Sequence, residues 1–219
     1  FILRNVHFGV HLPLTLMLTR EEYCDIISEI FMEEPEMIFA EKEITLKNGT
    51  VAVLRSPCAG EGGKMLKYIR QACGETDFLL RRPEEWGSVT VESEEKWISG
   101  GLESDSILRI ACFIGDEVAG NCEVMFNNWQ KTSHRAVFMI AILKKYWGLG
   151  IGTAMFGELI AAAKARPGVR IAELEVFEGN DRALALYEKF GFNVVCERPN
   201  AFMRRDGSYA KELFMQKML

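Results

Sequence analysis

The sequence lacks the features that mark membrane proteins, nucleic-acid-binding proteins and metalloproteins. It has no apolar run near the roughly 20 residues that span a bilayer. It has no basic block, and its formal net charge of −5 argues against nucleic acid as the main partner. Its six cysteines are scattered without C-x-x-C spacing, so they indicate neither a zinc site nor a disulfide framework. We therefore expect reduced, buried thiols, a cytoplasmic location, no metal, and no nucleic-acid or membrane partner.

The composition is that of a globular protein, with 48% apolar and 26% charged residues. A length of 219 residues suits one domain with an appendage. We assign residues 1–40 to an N-terminal extension and residues 41–219 to the main domain. In the extension, Thr19-Arg20-Glu21-Glu22 resembles a capping box and predicts one amphipathic helix. Its apolar face must pack on the domain or on a second subunit, so a homodimer is one option.

A glycine-rich stretch separates an apolar run from a helix-forming run. Ala136–Leu143 predicts a buried strand, and Ala154–Arg166 predicts a helix that ends before Pro167. Between them lies KYWGLGIGT, residues 145–153. Glycines there let backbone N–H groups approach a ligand, and the first turn of a helix leaves N–H donors unpaired at the positive end of its dipole. This predicts an anion site, most naturally for phosphate, although the same glycines would also suit a helix packed close to a strand.

Neither of two familiar phosphate loops fits this stretch. A G-x-G-x-x-G dinucleotide fingerprint would need glycine at Thr153, and a P-loop would need a lysine directly before that threonine, where Gly152 stands. A second motif, NDRALALYEKFGF at residues 180–192, follows a strand-like run at Ile171–Phe177. The loop and this motif must therefore be interpreted together.

In tandem the two motifs resemble the GNAT superfamily of N-acetyltransferases. The cofactor motif of that family is usually written Q/R-x-x-G-x-G/A, and its next helix often follows N-x-x-A-x-x-L-Y-x-K-x-G-F. Trp147 stands where Gln or Arg is commonest, which keeps the backbone donors but removes side-chain help. The resemblance covers roughly residues 43–219.

Hydrophobic periodicity predicts the remaining elements of the domain. Predicted helices are Gly63–Cys73, Glu92–Ile98, Ala154–Arg166 and one that begins at Asn180. Predicted strands are Thr50–Leu54, Ile107–Phe113, Val118–Phe126, Ala136–Leu143, Ile171–Phe177, Asn193–Cys196 and Glu212–Lys217. We predict a three-layer α/β (α+β) fold of the GNAT type, with a mixed, mainly antiparallel sheet flanked by helices.

The resemblance implies acetyl-CoA as co-substrate, without a metal. Its pyrophosphate would lie over the backbone N–H groups of the loop, and its pantetheine arm would pair with the strand before the loop as an added strand. Lys144 and Lys145 either meet the phosphates or are solvated surface lysines. The implied cofactor-binding residues are Ile140, Ala141, Ile142, Trp147, Gly148, Leu149, Gly150, Ile151, Gly152, Thr153 and Asn180.

Asn180 and Tyr187 lie seven residues apart, which places them on one face of a helix. Family members often use the first to contact pantetheine and the second as a general acid or stabiliser of the leaving thiolate. Each also has an explanation without a ligand. Asn180 makes a good N-cap, and Tyr187 fits a half-buried core position.

The attacking amine must be neutral, so a base or bulk water must take its proton. The candidates are Glu175, Glu123 and His134. His134 resembles a histidine of one GNAT subgroup, but Val137 stands where that subgroup often has glutamate. We take Glu175 as the possible base and expect the acidic glutamates on the strands to attract a cationic amine.

The resemblance implies an N-acetyltransferase that moves an acetyl group from acetyl-CoA to a primary amine of a small molecule, or to a protein N-terminus or lysine. The alternative is a non-catalytic acyl-CoA-binding regulatory module, because a fold does not establish an activity. Tyr187 and the intact glycine loop favour the enzyme, whereas Val137 mildly favours the module. No acceptor signature occurs in the loops between residues 74 and 105, which we expect to roof the acceptor side.

Overall fold

The structure, a computed structural model, describes residues 37–219. The helix predicted to open at Thr19 and the extension as far as residue 36 lie outside the described residues. The strands are β1 (Lys42–Thr45), β2 (Val51–Arg55), β3 (Ile107–Ile114), β4 (Glu117–Phe126), β5 (Arg135–Ile142), β6 (Ile171–Phe177), β7 (Asn193–Met203) and β8 (Tyr209–Met218). The helices are α1 (Gly62–Glu75), α2 (Val91–Leu102), α3 (Ile151–Ala165) and α4 (Asp181–Lys189), with short 3₁₀ turns at Pro83–Trp86 and Lys144–Tyr146.

The strands form one sheet in the order β1-β2-β3-β4-β5-β6-β8-β7. All neighbouring pairs are antiparallel except β5 and β6, which are parallel. Alternate residues of the strands face opposite layers. Ile110 belongs to the apolar cluster that includes Phe156 of α3, whereas Ala111 belongs to the cluster that includes Tyr68 of α1. The predicted three-layer, mainly antiparallel fold is confirmed.

The parallel pair separates soon after it forms. Arg135, Ala136 and Val137 of β5 pair with residues 171–173 of β6, but β5 continues to Ile142 and β6 to Phe177 without further pairing. The two strands therefore splay apart, and backbone groups on their facing edges have no strand partner within residues 37–219. Such edges are available to an extended ligand.

Tyr68 of α1 fixes β5 to β4 at this point. Its hydroxyl donates to the carbonyl of Ala141 (2.8 Å) and accepts from the N–H of Asn121 (3.1 Å). The side chain is buried, and it links the paired residues Asn121 of β4 and Ala141 of β5 from the layer of α1. The end of β5 that borders the open space is therefore held against β4.

Two strands depart from the sequence prediction. The four-residue β1 was not predicted, and β7 runs to Met203 instead of ending at Cys196. Proline is disfavoured inside strands, and β7 contains Pro199. A register shift between Arg198 and Phe202 accommodates it, with Asn200 at φ 54°. As β7 is an edge strand, it tolerates this irregularity.

The cysteines are only partly as expected. Cys73, Cys112 and Cys122 are buried, but Cys58 and Cys196 are exposed free thiols, so the prediction of uniformly buried thiols is wrong. Burial raises the pKa of Cys112 to about 12, so that thiol stays protonated at neutral pH. Among residues 37–219, no helix is both long and apolar enough to cross a membrane.

Candidate functional site

A groove of about 1120 Å³ follows the separation of β5 and β6. One end is the glycine-rich loop before α3, and one side is α4 along its length. The other end is formed by β7, β8 and the segment after α1. Its walls include Phe78, Leu79, Leu80, Phe177, Phe202 and Phe214. The groove therefore runs from the predicted phosphate loop to an end lined by several aromatic and leucine side chains.

The loop has the geometry of an anion site. Gly148 and Gly150 have φ of 80° and 98°, values that side chains disfavour, and Gly150 is the N-cap of α3 without a side-chain cap. The first N–H groups of α3 are therefore free of side-chain caps at the positive end of the helix. Gly152 acts differently, because its backbone is helical and a Cβ there would lie 3.3 Å from Ile142 and 3.4 Å from Leu186. Close packing explains this third glycine.

The other loop residues divide between groove and core. Trp147 and Thr153 line the groove, together with Gly148, Gly150 and Gly152. Ile151 also borders it, but its side chain is buried in the core below α3. Leu149 packs against the core, and its carbonyl accepts from the N–H of Lys47 (3.0 Å). The turn between β1 and β2 is thereby attached to the loop.

Trp147 contributes to the loop in a way that the sequence does not indicate. Its indole N–H donates to the carbonyl of Ile142 (2.7 Å), the last residue of β5. The guanidinium of Arg182 lies 4.9 Å from the centre of the ring. The indole thus fixes the end of the open strand edge and supports a cation beside the loop.

The cations beside the groove are not the lysines considered from the sequence. The ammonium of Lys145 is held by Glu117 (2.6 Å), and neither it nor Lys144 lines the groove. Lys47 of the β1–β2 turn, and Arg182 and Lys189 of α4, line it instead. None of the three forms an ion pair within residues 37–219. Lys47 is far from the two α4 cations in the chain, so the sequence does not indicate that the three line one groove.

The glycine loop allows a matched test. Gly150→Ala should weaken acetyl-CoA binding about tenfold, about 1.4 kcal/mol, because an alanine at φ 98° forces the loop to shift where the phosphate is expected. Gly168→Ala is the control, since Gly168 has φ 84°, lies outside the groove and has nothing near its added Cβ. Calorimetry should show the loss of affinity in the first variant alone. Equal affinities in two folded variants would contradict a phosphate site at this loop.

The predicted pantetheine edge is partly occupied by the protein itself. The carbonyl of Ala141 is held by Tyr68 on the β4 side, and the carbonyl of Ile142 is held by Trp147. Ile140, Ala141 and Ile142 all border the groove. Alternate residues of a strand direct their backbone groups to opposite sides. The N–H and C=O of Ile140 and the N–H of Ile142 are therefore the backbone groups that point to the open edge.

Asn180 and Tyr187 lie on the groove side of α4. The Asn180 side chain accepts from the N–H of Ala183 (3.3 Å), so it is the N-cap of α4 and also lines the groove. The Tyr187 ring packs against Phe156 and Phe192, with centroids 5.3 and 6.3 Å away. Its hydroxyl forms no hydrogen bond within residues 37–219, and burial raises the pKa of Tyr187 to about 12. Both residues combine the packing role with access to the groove.

The three candidate bases are in very different places. Glu123 is buried in an ion pair with Arg109 (2.8 Å) and lies outside the groove. His134 is exposed before β5, also outside the groove, and its carbonyl accepts from residues 170 and 171. These two are not candidates in the folded protein. Of the three, Glu175 alone lines the groove, and its side chain is half-exposed (53%).

Two groove residues were missed by sequence reasoning. Arg198 of β7 and Glu212 of β8 form an ion pair of 2.9 Å beside Glu175. They lie on β7 and β8, which are consecutive strands joined by a hairpin turn. Only the alternation of β8, which places a glutamate at an inward position, was a signal in the sequence.

Within residues 37–219, no group of three or more His, Cys, Asp or Glu side chains is arranged to hold a metal ion. The groove combines a glycine loop with uncapped helix N–H groups, a buried tyrosine and the half-exposed carboxylate of Glu175. A profile described as "Acetyltransferase (GNAT) family" matches residues 72–192, more than half of the chain. The chain belongs to the acetyltransferase (GNAT) family. The match includes the glycine loop, Glu175, Asn180 and Tyr187.

Two relatives of this chain are named for different acceptors. A [ribosomal protein bS18]-alanine N-acetyltransferase of Haemophilus influenzae is 42% identical over 79 residues, which is 36% of this chain and 53% of the relative. This chain thus spans about half of the length of that relative. The L-amino acid N-acetyltransferase AaaT of Escherichia coli is 28% identical over 126 residues, 58% of this chain and 77% of the relative.

A solved acetyltransferase structure supports the fold. A putative acetyltransferase from Salmonella typhimurium with its cofactor acetyl-CoA matches with a TM-score of 0.65 and 16% identity. The match covers 77% of this chain and 94% of that one. At this identity the likeness concerns the fold alone.

Proposed function

We propose that this protein transfers an acetyl group from acetyl-CoA to a primary amine. The observation that carries the proposal is the groove between the splayed ends of β5 and β6, which runs from the glycine loop past Tyr187 to Glu175. Membership of the GNAT family supports acetyl-CoA as the donor. The splay provides strand edges for an extended arm, and the loop provides donors for a phosphate.

The residues present suit acetyl-CoA as a substrate. The free N–H groups at the start of α3 would hold the pyrophosphate, and Lys47, Arg182 and Lys189 add positive charge around it. The edge at Ile140 and Ile142 would pair with the amides of the pantetheine arm. Asn180, at the start of α4, would contact the same arm with the part of its amide that does not cap the helix.

The reacting groups would then meet between α4 and β6. A primary amine attacks the thioester carbonyl, its proton passes to a base, and the CoA thiolate leaves. Glu175 is the accessible carboxylate on the side where the amine would enter. Tyr187, protonated at neutral pH, would donate a hydrogen bond to the sulfur as negative charge develops on it.

The acceptor is proposed as a cationic primary amine, on a small molecule or at a protein N-terminus or lysine. Of the glutamates Glu123, Glu173 and Glu175, the first two are paired with Arg109 and Arg135. Glu175 remains to attract the ammonium. The relatives named for alanine at a ribosomal protein and for L-amino acids support α-amino groups as the first class to test.

The experiment is a screen for free-thiol release and mass shift with acetyl-CoA and a panel of amines. The panel includes L-amino acids, peptides with N-terminal alanine, polyamines and aminoglycosides. A gain of one acetyl group with stoichiometric thiol release supports the proposal. Tight acetyl-CoA binding without turnover on any amine would favour the regulatory module instead.

A further inference from the structure

Glu212 is a buried carboxylate in the wall of the groove, with a side chain only 3% exposed. It lies on β8, directly opposite Phe177 of β6 and Arg198 of β7. Phe202 stacks on Phe177, so an aromatic pair lies at the cross-strand neighbour of Glu212. A carboxylate in such a place costs free energy unless it is paired, and a hydrophobic residue would fit the strand pattern better.

Two carboxylates face one guanidinium at this point. An Arg198 nitrogen lies 2.9 Å from Glu212, and another lies 3.9 Å from Glu175. The short contact is a charge–charge contact that lacks the alignment of a hydrogen bond. The pKa of Glu212 is raised by burial and then by the charge of Glu175, while Arg198 opposes that rise and favours the ionised form.

The two carboxylates compete unequally for the arginine. Glu212 is buried, and Coulomb attraction is stronger where water is excluded. Glu175 is half-exposed, so water screens its attraction to Arg198. The guanidinium therefore stays with Glu212, and no cation among residues 37–219 holds the Glu175 carboxylate at hydrogen-bond distance.

We propose that Glu212 is a positioning residue, which holds Arg198 away from Glu175 and so leaves Glu175 free to take the proton of the amine. The inference rests on the proposed function, because it concerns the base of that reaction. A carboxylate paired closely with arginine is a weaker base, since the guanidinium favours its ionised form. Without the charge on Glu212, Arg198 closes on Glu175.

The test is a double-mutant cycle with rescue, using an acceptor found in the amine screen. Glu212→Gln keeps the shape but removes the charge, and we expect kcat to fall about tenfold, less than the roughly hundredfold or more that a base contributes, because Glu175 keeps its carboxylate. Glu212→Gln combined with Arg198→Gln removes the competitor for Glu175 as well. This double variant should return to within about threefold of Arg198→Gln alone.

Glu94→Gln is the matched control. Glu94 is also a buried carboxyl whose pKa is raised by burial, but it lies on α2 outside the groove. Its kcat should equal that of the parent. A double variant as slow as Glu212→Gln would overturn the inference, because a packing defect is not repaired by removing Arg198.

A crystal structure of Glu212→Gln separates this inference from the proposed function, since it needs no turnover. We expect the Arg198 guanidinium within hydrogen-bond distance of Glu175. A gap that stays near 3.9 Å would overturn the inference even if the protein is an active acetyltransferase. Closure of the gap in a protein that acetylates no amine would support the competition for Arg198 and overturn the proposed function alone.

Discussion

Replacing Tyr187 with phenylalanine should lower turnover about a hundredfold, while acetyl-CoA affinity stays near the parent value. Loss of one hydrogen-bond donor to a charge that develops in the transition state typically costs that much. The ring is kept, so its packing against Phe156 and Phe192 is preserved. Rapid-quench measurements of the chemical step, with calorimetry for acetyl-CoA, would check both expectations.

The pKa of Tyr187 decides which role its hydroxyl can play. Burial raises that pKa to about 12, whereas a CoA thiol resembles cysteine, with a pKa of about 8.5. Complete proton transfer to the thiolate is then uphill by about 5 kcal/mol, at about 1.36 kcal/mol per pKa unit. A hydrogen bond that strengthens as the sulfur becomes negative avoids this cost. Ionisation of the Tyr187 hydroxyl should therefore not alter the rate below about pH 11.

Tyr68→Phe provides the structural contrast. Its hydroxyl bridges Ala141 and Asn121, so its loss leaves two backbone groups unpaired and should cost about 1–3 kcal/mol of unfolding free energy. Tyr187→Phe should leave the unfolding free energy near the parent value, because no hydrogen bond of its hydroxyl occurs in the described part of the chain. If Tyr187→Phe turns over at the parent rate with chemistry limiting, Tyr187 is a packing residue.

The parts of this protein that the sequence predicted are local in the chain. The strand, loop and helix around Gly150 follow one another within about 30 residues, and each has its own signal in apolar runs, glycines and helix formers. The N-cap at Asn180 and the place of Tyr187 on the same helix face are local for the same reason. The fold class and the position of the glycine loop between β5 and α3 therefore followed from the sequence.

The parts that were missed depend on which strands are neighbours. Nothing near Glu173 in the chain indicates that Arg135 of β5 lies beside it. Arg198 and Glu212 meet only because β7, with its irregular proline segment, pairs with β8. Register between distant strands is set by the whole core, so the sequence alone could not separate the free carboxylate, Glu175, from the paired ones.

Replacing Glu175 with glutamine should lower kcat/KM at neutral pH by about a hundredfold to ten-thousandfold, the range that a positioned base contributes. Glutamine has nearly the same shape, so the groove and the strand should be unchanged. Glu173→Gln is the matched control, from the same strand and the same face. Its carboxylate is held by Arg135 (3.4 Å) and Gln216 (3.2 Å), so its loss should leave the rate near that of the parent.

The pH dependence of the Glu175→Gln rate identifies the step that the carboxylate serves. Without a base in the groove, only the fraction of acceptor that is already neutral can react, and that fraction grows up to the pKa of the amine. This pKa is about 7.7–8.0 for an α-amino group and about 10.4 for a lysine. The variant should therefore recover activity as the pH rises towards that value, and the deficit relative to the parent should shrink. A deficit that stays constant across this range would mean that Glu175 binds the acceptor rather than removing its proton. Parent rates at every pH would mean that bulk water takes the proton and that the acidic side of the groove serves another purpose.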